Sequence, residues 1–411
     1  MANWSQLPPE LLEEIAKCLE SPFYLLRLRS VCSSWRSSIS PKPRNVPGRF
    51  PFLPNDGISD TTWGFHLSKR SIFLVSLPEN LTGTSQDLWL VKIEEKAPGR
   101  MQLLNPLSRF QIKALPEDFP KVLDSSRFRV IELGQEYVLH YMHFRPFGNS
   151  LVDAGNLYME KVVFKGLDSE SNNFALLTIH VSGKLAMYKS GNKKWNIIHD
   201  MPSPYDDVIL FKGDFYAVDS TGRAVLVGLS SNVDFVACPV FGGDKKFLVE
   251  SKGELLMVDM YLAMPSDSEI GDDDVVYEEF EDYMGERTVK FKVYKLDSEG
   301  RKWVKVKSLG DQVLFVGDDC TFSASYFDLS GCKNCIFFTD NFFYIRSGED
   351  GVFKAHDIGV YHLESGSIVP LADYPEYSKL FWPPPKWISS TTSTSRVSIF
   401  FAIRLSRFNS S

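Results

Sequence analysis

The chain has little of what marks most specialised classes of protein. Its 411 residues hold six cysteines, at 18, 32, 238, 320, 332 and 335, and their spacing forms no disulfide framework. No stretch reaches the ~18 apolar residues that argue for a membrane-spanning helix. The opening Met1-Ala2-Asn3-Trp4-Ser5-Gln6 has neither the basic stretch nor the apolar core of a secretory signal. A reducing compartment, nucleus or cytosol, is therefore expected, with no secretion. Basic charge is also not in excess, since 45 Lys and Arg face 52 Asp and Glu for a net charge of −7. Nothing in that balance supports a nucleic-acid-binding face or a membrane surface.

Catalytic punctuation is missing too. There is no Gly-x-Ser-x-Gly elbow, no P-loop and no G-x-G-x-x-G phosphate cradle. What is present is core material. Hydrophobic residues make up 44% of the chain and aromatics 13%, enough for two or three packed units. The acidity is local. Ten carboxylates lie between Ser266 and Glu286 with no Lys or Arg among them, and the remainder carries 45 basic against 42 acidic side chains. That stretch reads as a solvated loop, with a docking site for a basic partner as the sharper alternative.

The first forty residues are the most informative. In Leu7-Pro8-Pro9-Glu10-Leu11-Leu12-Glu13-Glu14-Ile15-Ala16-Lys17-Cys18-Leu19, apolar side chains recur at helical spacing behind a proline start. Glu10, Glu13 and Glu14 suit the positive end of the helix dipole and Lys17 the negative end. Ser21-Pro22 signals a second helix, along which Leu25, Leu28, Cys32 and Trp35 keep the period. Ser33 and Ser34 are positioned to divide it in two, and Pro41 and Pro43 end the pattern. A helical bundle of about forty residues needs something to pack on, whether the rest of the chain or a partner.

The run Leu7-Pro8…Glu10-Leu11-Leu12…Ile15…Leu19…Leu28-Arg29…Val31-Cys32…Trp35-Arg36…Ile39 resembles the F-box motif. The resemblance implies a three-helix unit, residues 1–45, that docks a Skp-type adaptor and through it the cullin and RING subunits of a ubiquitin ligase. By position it implies adaptor contacts at Leu7, Pro8, Leu11, Ile15 and Leu19. Leu28, Val31, Cys32 and Trp35 would supply the remaining apolar surface, some of it holding the helices together. Five such side chains, fully buried, would contribute on the order of 10 kcal/mol gross, and association costs remove much of that.

Five prolines between Pro41 and Pro54 read as a stiff linker over 46–62. Beyond it, residues 63–388 repeat the grammar of hairpins. Val289–Leu296 alternates apolar with basic residues, Asp297-Ser298-Glu299-Gly300 is turn chemistry, and Trp303–Lys307 resumes the strand. Lys184–Ile198 reads the same way, with weaker copies at Arg223–Val236 and Ile358–Val369. A large all-β domain follows, best drawn as an irregular β-propeller, because radial repetition protects sheet edges. The chain lacks any Trp-Asp dipeptide and has one Gly-Gly pair, at 242–243, so neither WD40 nor kelch signatures are present. Residues 389–411 form a Ser/Thr-rich tail in which 397–403 either close a sheet as a final strand or stay loosely attached.

Nearly the full length is similar to a plant, kelch-like F-box family whose carboxy-terminal domain has no known chemistry. Its hallmarks here are the Lys184–Trp195 hairpin, Asp206–Asp219 and Phe381–Ile388. The fold class expected is α+β, a small F-box followed by a large all-β domain. The function implied is target recognition for a Skp–cullin–F-box ubiquitin ligase, with no catalytic residues and no cofactor. The alternatives are an F-box binding protein acting without cullin and an enzyme on a propeller scaffold. Cys332-x-x-Cys335 has zinc-knuckle spacing but no second pair, and reads as a turn with two free thiols. His140 and His143, three apart on a strand, point to opposite faces and cannot chelate together. No residue of a target site can be assigned from sequence.

Overall fold

The computed structural model describes residues 4–19, 22–39, 50, 65–77, 88–97, 100–108, 112, 119, 122–124, 128–141, 159–167, 173–180, 182–264, 286–317, 319–325, 329, 333–339, 358–390 and 402–404. Three helices come first, α1 (Pro9–Cys18), α2 (Pro22–Arg29) and α3 (Ser33–Ser38), and strands follow. The acidic stretch 266–286 lies almost wholly outside the described residues, as do Cys332, His143 and all of the 46–62 linker except Phe50.

The strands fall into successive groups. β1 (Phe65–Ser76), β2 (Leu88–Ala97), β3 (Arg100–Leu104) and β5 (Arg129–Tyr141) form one half of an eight-stranded sheet. β6 (Met159–Gly166), β7 (Phe174–Ile179), β8 (Leu185–Lys189) and β9 (Lys194–Ile198) form the other half. The halves join where Tyr137–His140 of β5 pairs with β6. A third group is β10 (Tyr205–Phe211), β11 (Asp214–Asp219), β12 (Ala224–Val227) and β13 (Val233–Ala237). The fourth is β14 (Lys245–Ser251), β15 (Glu254–Ala263), β16 (Arg287–Asp297) and β17 (Lys302–Val306). The fifth is β18 (Gln312–Val316), β19 (Thr321–Ser325), β20 (Cys335–Thr339), β21 (Ile358–His362) and β22 (Ile368–Pro370), in the order β19-β18-β20-β21-β22. The β18–β20 pairing is parallel and the others in this sheet are antiparallel. Short β4 (Val122–Asp124) pairs with β23 (Ala402–Arg404) in a two-stranded sheet of their own, and residues 397–401 lie outside the described residues.

The hairpins read from sequence are all here. Val289–Leu296 lies in β16 paired with β17, and Lys184–Ile198 is the β8–β9 hairpin. Arg223–Val236 is β12–β13, and Ile358–Val369 is β21–β22. Lys212-Gly213 and Lys252-Gly253, all at positive φ, close their hairpins with backbone twist that matches the strands.

The groups close into a ring. β6, β10, β14 and β19 lie side by side, and β19 returns against β5. Each gap between neighbouring groups is filled by its own apolar cluster. Leu177, Met187 and Phe215 pack between the second and third groups, and Phe211, Leu248 and Trp303 between the third and fourth. Phe291, Leu314 and Phe338 fill the next gap. Ile72, Leu74, Phe315 and Phe337 fill the last, where the fifth group meets the first. Within the eight-stranded sheet, Leu139, Phe174 and Tyr188 cluster around Phe50, which is 2% exposed. Phe50 meets Tyr188 edge-to-face at 5.1 Å, so the proline-rich connection is pinned to the second group at this residue.

Inner strands present unpaired edges, and side chains satisfy them. Asp206 accepts the Lys246 amide at 2.9 Å and Asp207 the Leu248 amide at 2.8 Å, both across the gap from β10 to β14. From the other side, Thr321 donates to the Leu248 carbonyl at 2.5 Å and Ser323 to the Glu250 carbonyl at 3.0 Å.

Ring closure adds a buried charge cluster. Arg70 donates to Glu94 and Glu136 at 3.0 Å each and reaches Asp319 of the fifth group at 3.5 Å. Lys92 donates to Glu136 and to the Ser108 carbonyl, each at 3.2 Å. None of these five charged residues is more than 3% exposed. Close approach in the same region needs Gly317, where a Cβ would sit 2.1 Å from the Leu107 carbonyl oxygen.

Two helices were not read from the sequence. α4 (Pro375–Phe381) places Leu380 and Phe381 in the cluster between the fifth and first groups. α5 (Lys386–Ser390) sends Ile388 into the opposite face of the first group, alongside Trp382 and Trp387.

Candidate functional site

The candidate site is the outer surface of the helical bundle. α1 begins at Pro9 with no side-chain cap, as expected where proline supplies the first helical φ and has no N–H to satisfy. Successive helical residues are about 100° apart, so the run Leu11, Leu12, Ile15, Ala16 forms two adjacent stripes. Leu12 and Ala16 face inward and join Leu25, Trp35 and Ile39 in the bundle's core, with Leu7, Leu28 and Cys32 packed against it. Leu11 and Ile15 face outward, 52% and 41% exposed. The stripe read as one face from sequence therefore serves two.

The break between α2 and α3 falls where the serines placed it, but the cap is Cys32. Its sulfur accepts the Trp35 amide at 3.5 Å, a weak bond. Trp35 lies within the bundle and donates its indole N–H to the Trp4 carbonyl at 3.2 Å. That bond pins the backbone of the opening turn while the Trp4 side chain stays 68% exposed. Trp4 was not among the residues singled out from sequence, since it precedes the helical period.

Of the sequence-derived adaptor residues, Pro8, Leu11, Ile15 and Val31 are exposed, and Val31 is 57% so. Leu7, Leu19, Leu28 and Cys32 are half-buried. Trp35 is 8% exposed and holds the three helices together, leaving it little surface for a partner. Leu11, Ile15 and Val31 have about half their area left to cover. Their burial by a partner would contribute roughly 2–5 kcal/mol gross, well under the full-burial figure above. The carboxylates around them are solvated, and the Lys17–Glu14 pair at 2.7 Å is exposed at both ends, worth about 0–1 kcal/mol.

Two half-open cavities lie among the inner strands of the ring. Cavities of about 400 and 230 Å³ share Lys161, Val208 and Asp319 in their walls. Asp206 borders the smaller one, and burial pushes its carboxyl up to about 6 despite the Lys246 amide and charge. Cys320 borders the larger, where burial raises its thiol far from any nucleophilic range. Arg70, His140 and Ser68 hold the Glu94 carboxyl well below its ordinary value although burial opposes them. Strand register brings His66 and His140 to 6.4 Å between ring centroids, a proximity the sequence did not reveal. Cys335 is disulfide-bonded, which corrects the reading of two free thiols in the Cys-x-x-Cys turn. Four other described cysteines, at 18, 32, 238 and 320, are free.

A three-helix bundle with an outward apolar face, joined to a ring of largely antiparallel sheets, is the architecture of an F-box protein whose larger domain is a β-propeller. The F-box domain model matches residues 4–46, and the KIB1-4 beta-propeller model matches residues 64–362. The chain belongs to the KIB1-4 β-propeller family of F-box proteins. It is 49% identical over 403 residues to F-box protein SKIP23 of Arabidopsis thaliana, covering 95% of this chain and 96% of that one. It is 38% identical over 404 residues to F-box protein At2g17036 of the same plant, with 95% and 96% covered. A putative F-box/kelch-repeat protein, At5g24040, also of Arabidopsis thaliana, is 29% identical across 95% of this chain and all of its own length. An F-box, as a class of domain, binds Skp-type adaptors.

Proposed function

We propose that the chain is the target-recognition subunit of a Skp–cullin–F-box ubiquitin ligase. The observation that carries this is the outward apolar set of the bundle. Leu11, Ile15 and Val31 remain half-exposed although the bundle has a complete core of its own. Apolar side chains held on a rigid element and left uncovered mark an interaction site. Pro8, Leu7 and Leu19 extend that surface along α1, and Leu28 and Cys32 flank it.

The mechanism is positional. The bundle holds the adaptor, the propeller holds a target, and the assembly raises the target's effective concentration beside a ubiquitin-charged enzyme. Bond formation belongs to the cullin-bound RING and its partner enzyme, in the nucleus or cytosol. The test is reconstitution of the full chain with a Skp-type adaptor, cullin and RING subunit. Co-elution of all four, with ubiquitin transfer dependent on this chain, is the expected result. Co-elution with the adaptor but not with cullin would replace the ligase reading with that of an F-box protein acting without one.

A further inference from the structure

The bundle's core contains no propeller residue among those described, and units with separate cores ordinarily move against each other. A specific contact opposes that here. β5 pairs with β1 along residues 129–141, but β6 covers β5 only from Tyr137 onward. Among the described residues, no strand pairs with that edge of β5 over Arg129–Glu136. In an antiparallel strand, residues two apart present their N–H and C=O groups to the same side. Val130 and Glu132 do so, and α2 meets both. Arg27 donates from Nη1 to the Val130 carbonyl at 3.3 Å, and the Tyr24 hydroxyl accepts the Glu132 amide at 3.0 Å. One side chain supplies the donor and the other the acceptor that a neighbouring strand would have supplied.

We propose that Tyr24 and Arg27 are positioning residues that lock the F-box onto this edge of β5. They hold the adaptor-facing surface at one fixed angle to the ring. Tyr24 and Arg27 belong to α2, whereas Leu11 and Ile15 lie on α1, so the lock and the adaptor surface are separate. The consequence for ubiquitin transfer rests on the ligase reading, while the geometric claim does not.

The chain carries its own reporters. Cys18, at the end of α1, and Cys238, just beyond β13, are both free and exposed. Spin labels at these two exposed sites would give the distance between bundle and ring by pulsed electron resonance. The parent should show one narrow distribution. Tyr24→Phe with Arg27→Met should broaden it and add distances absent from the parent, and each single change should do so partially. Adaptor capture should be retained, and exchange of the Glu132 amide should quicken. An unchanged distribution would overturn the proposal. So would a broadened one accompanied by loss of adaptor capture, because these side chains would then be supporting the bundle itself. If the parent chain captures no adaptor, the ligase reading fails while the distances still decide this one.

Discussion

The two domains use the same apolar residue types to opposite ends. In the ring, every gap between neighbouring strand groups is closed by a cluster of side chains nearly out of solvent, and the closing gap adds a charge cluster no more accessible. In the bundle, one stripe of α1 is split. Leu12 and Ala16 build a core, while Leu11 and Ile15, one position before each, are left outside. A large domain buries a greater share of its surface than a small helical unit can, although the ring too leaves Phe241 77% exposed. What the bundle leaves uncovered is the chain's most direct statement about partners.

Three substitutions sharpen the contrast, beginning with the largest effect. Arg70→Met leaves Glu94, Glu136 and Asp319 without their shared counter-charge in the ring's interior. It should cost about 3–5 kcal/mol in denaturant unfolding, with the loss seen in the β-rich transition. Next comes the pair in α1. Leu12→Ala should destabilise the bundle by about 2–5 kcal/mol, read as faster amide exchange throughout α1–α3. Leu11→Ala should change stability by less than about 0.5 kcal/mol. Equal costs for the two would erase the division between inward and outward stripes.

A further effect concerns pH. Asp206 has a folded pKa raised to about 6, so the folded state holds its proton more tightly than the unfolded chain does. Its contribution to stability is therefore greatest in acid, and it declines as pH climbs from about 4 to about 6. Asp206→Asn keeps an oxygen for the Lys246 amide and removes this dependence. The variant should gain on the parent between pH 4 and pH 7 in thermal unfolding. A constant difference across that range would show that burial does not raise this carboxyl.

Local pattern was legible where the chemistry is local. The 3.6-residue period marked the helices, period-two alternation marked β16, and turn residues marked the hairpins. Long-range closure was not. Arg70, Lys92, Glu136 and Asp319 meet across 249 residues, and no spacing announces that. Phe50 looked like linker because prolines surround it, yet it is a core residue. Asp206-Asp207 read as part of a family hallmark, and their work as acceptors for the edge of β14 appears only in three dimensions. α4 did carry a signal in Pro375 followed by Tyr377, Leu380 and Phe381 at helical spacing, which the surrounding prolines obscured. Within the bundle, helix period marked Leu11, Leu12, Ile15 and Ala16 without separating the outward pair from the inward one. It could not say that Trp35 turns inward or that Trp4 remains outside, because the stripe is wide enough to face two ways.

The central claim is that the outward stripe exists to be covered by an adaptor. Calorimetric titration of a Skp-type adaptor into the full chain, against the Leu11→Ser, Ile15→Ser double variant, tests it most directly. The account predicts that the variant loses at least about tenfold in affinity, or about 1.4 kcal/mol, while its unfolding midpoint stays at the parent's. Parent-like affinity in a variant of parent-like stability would contradict it.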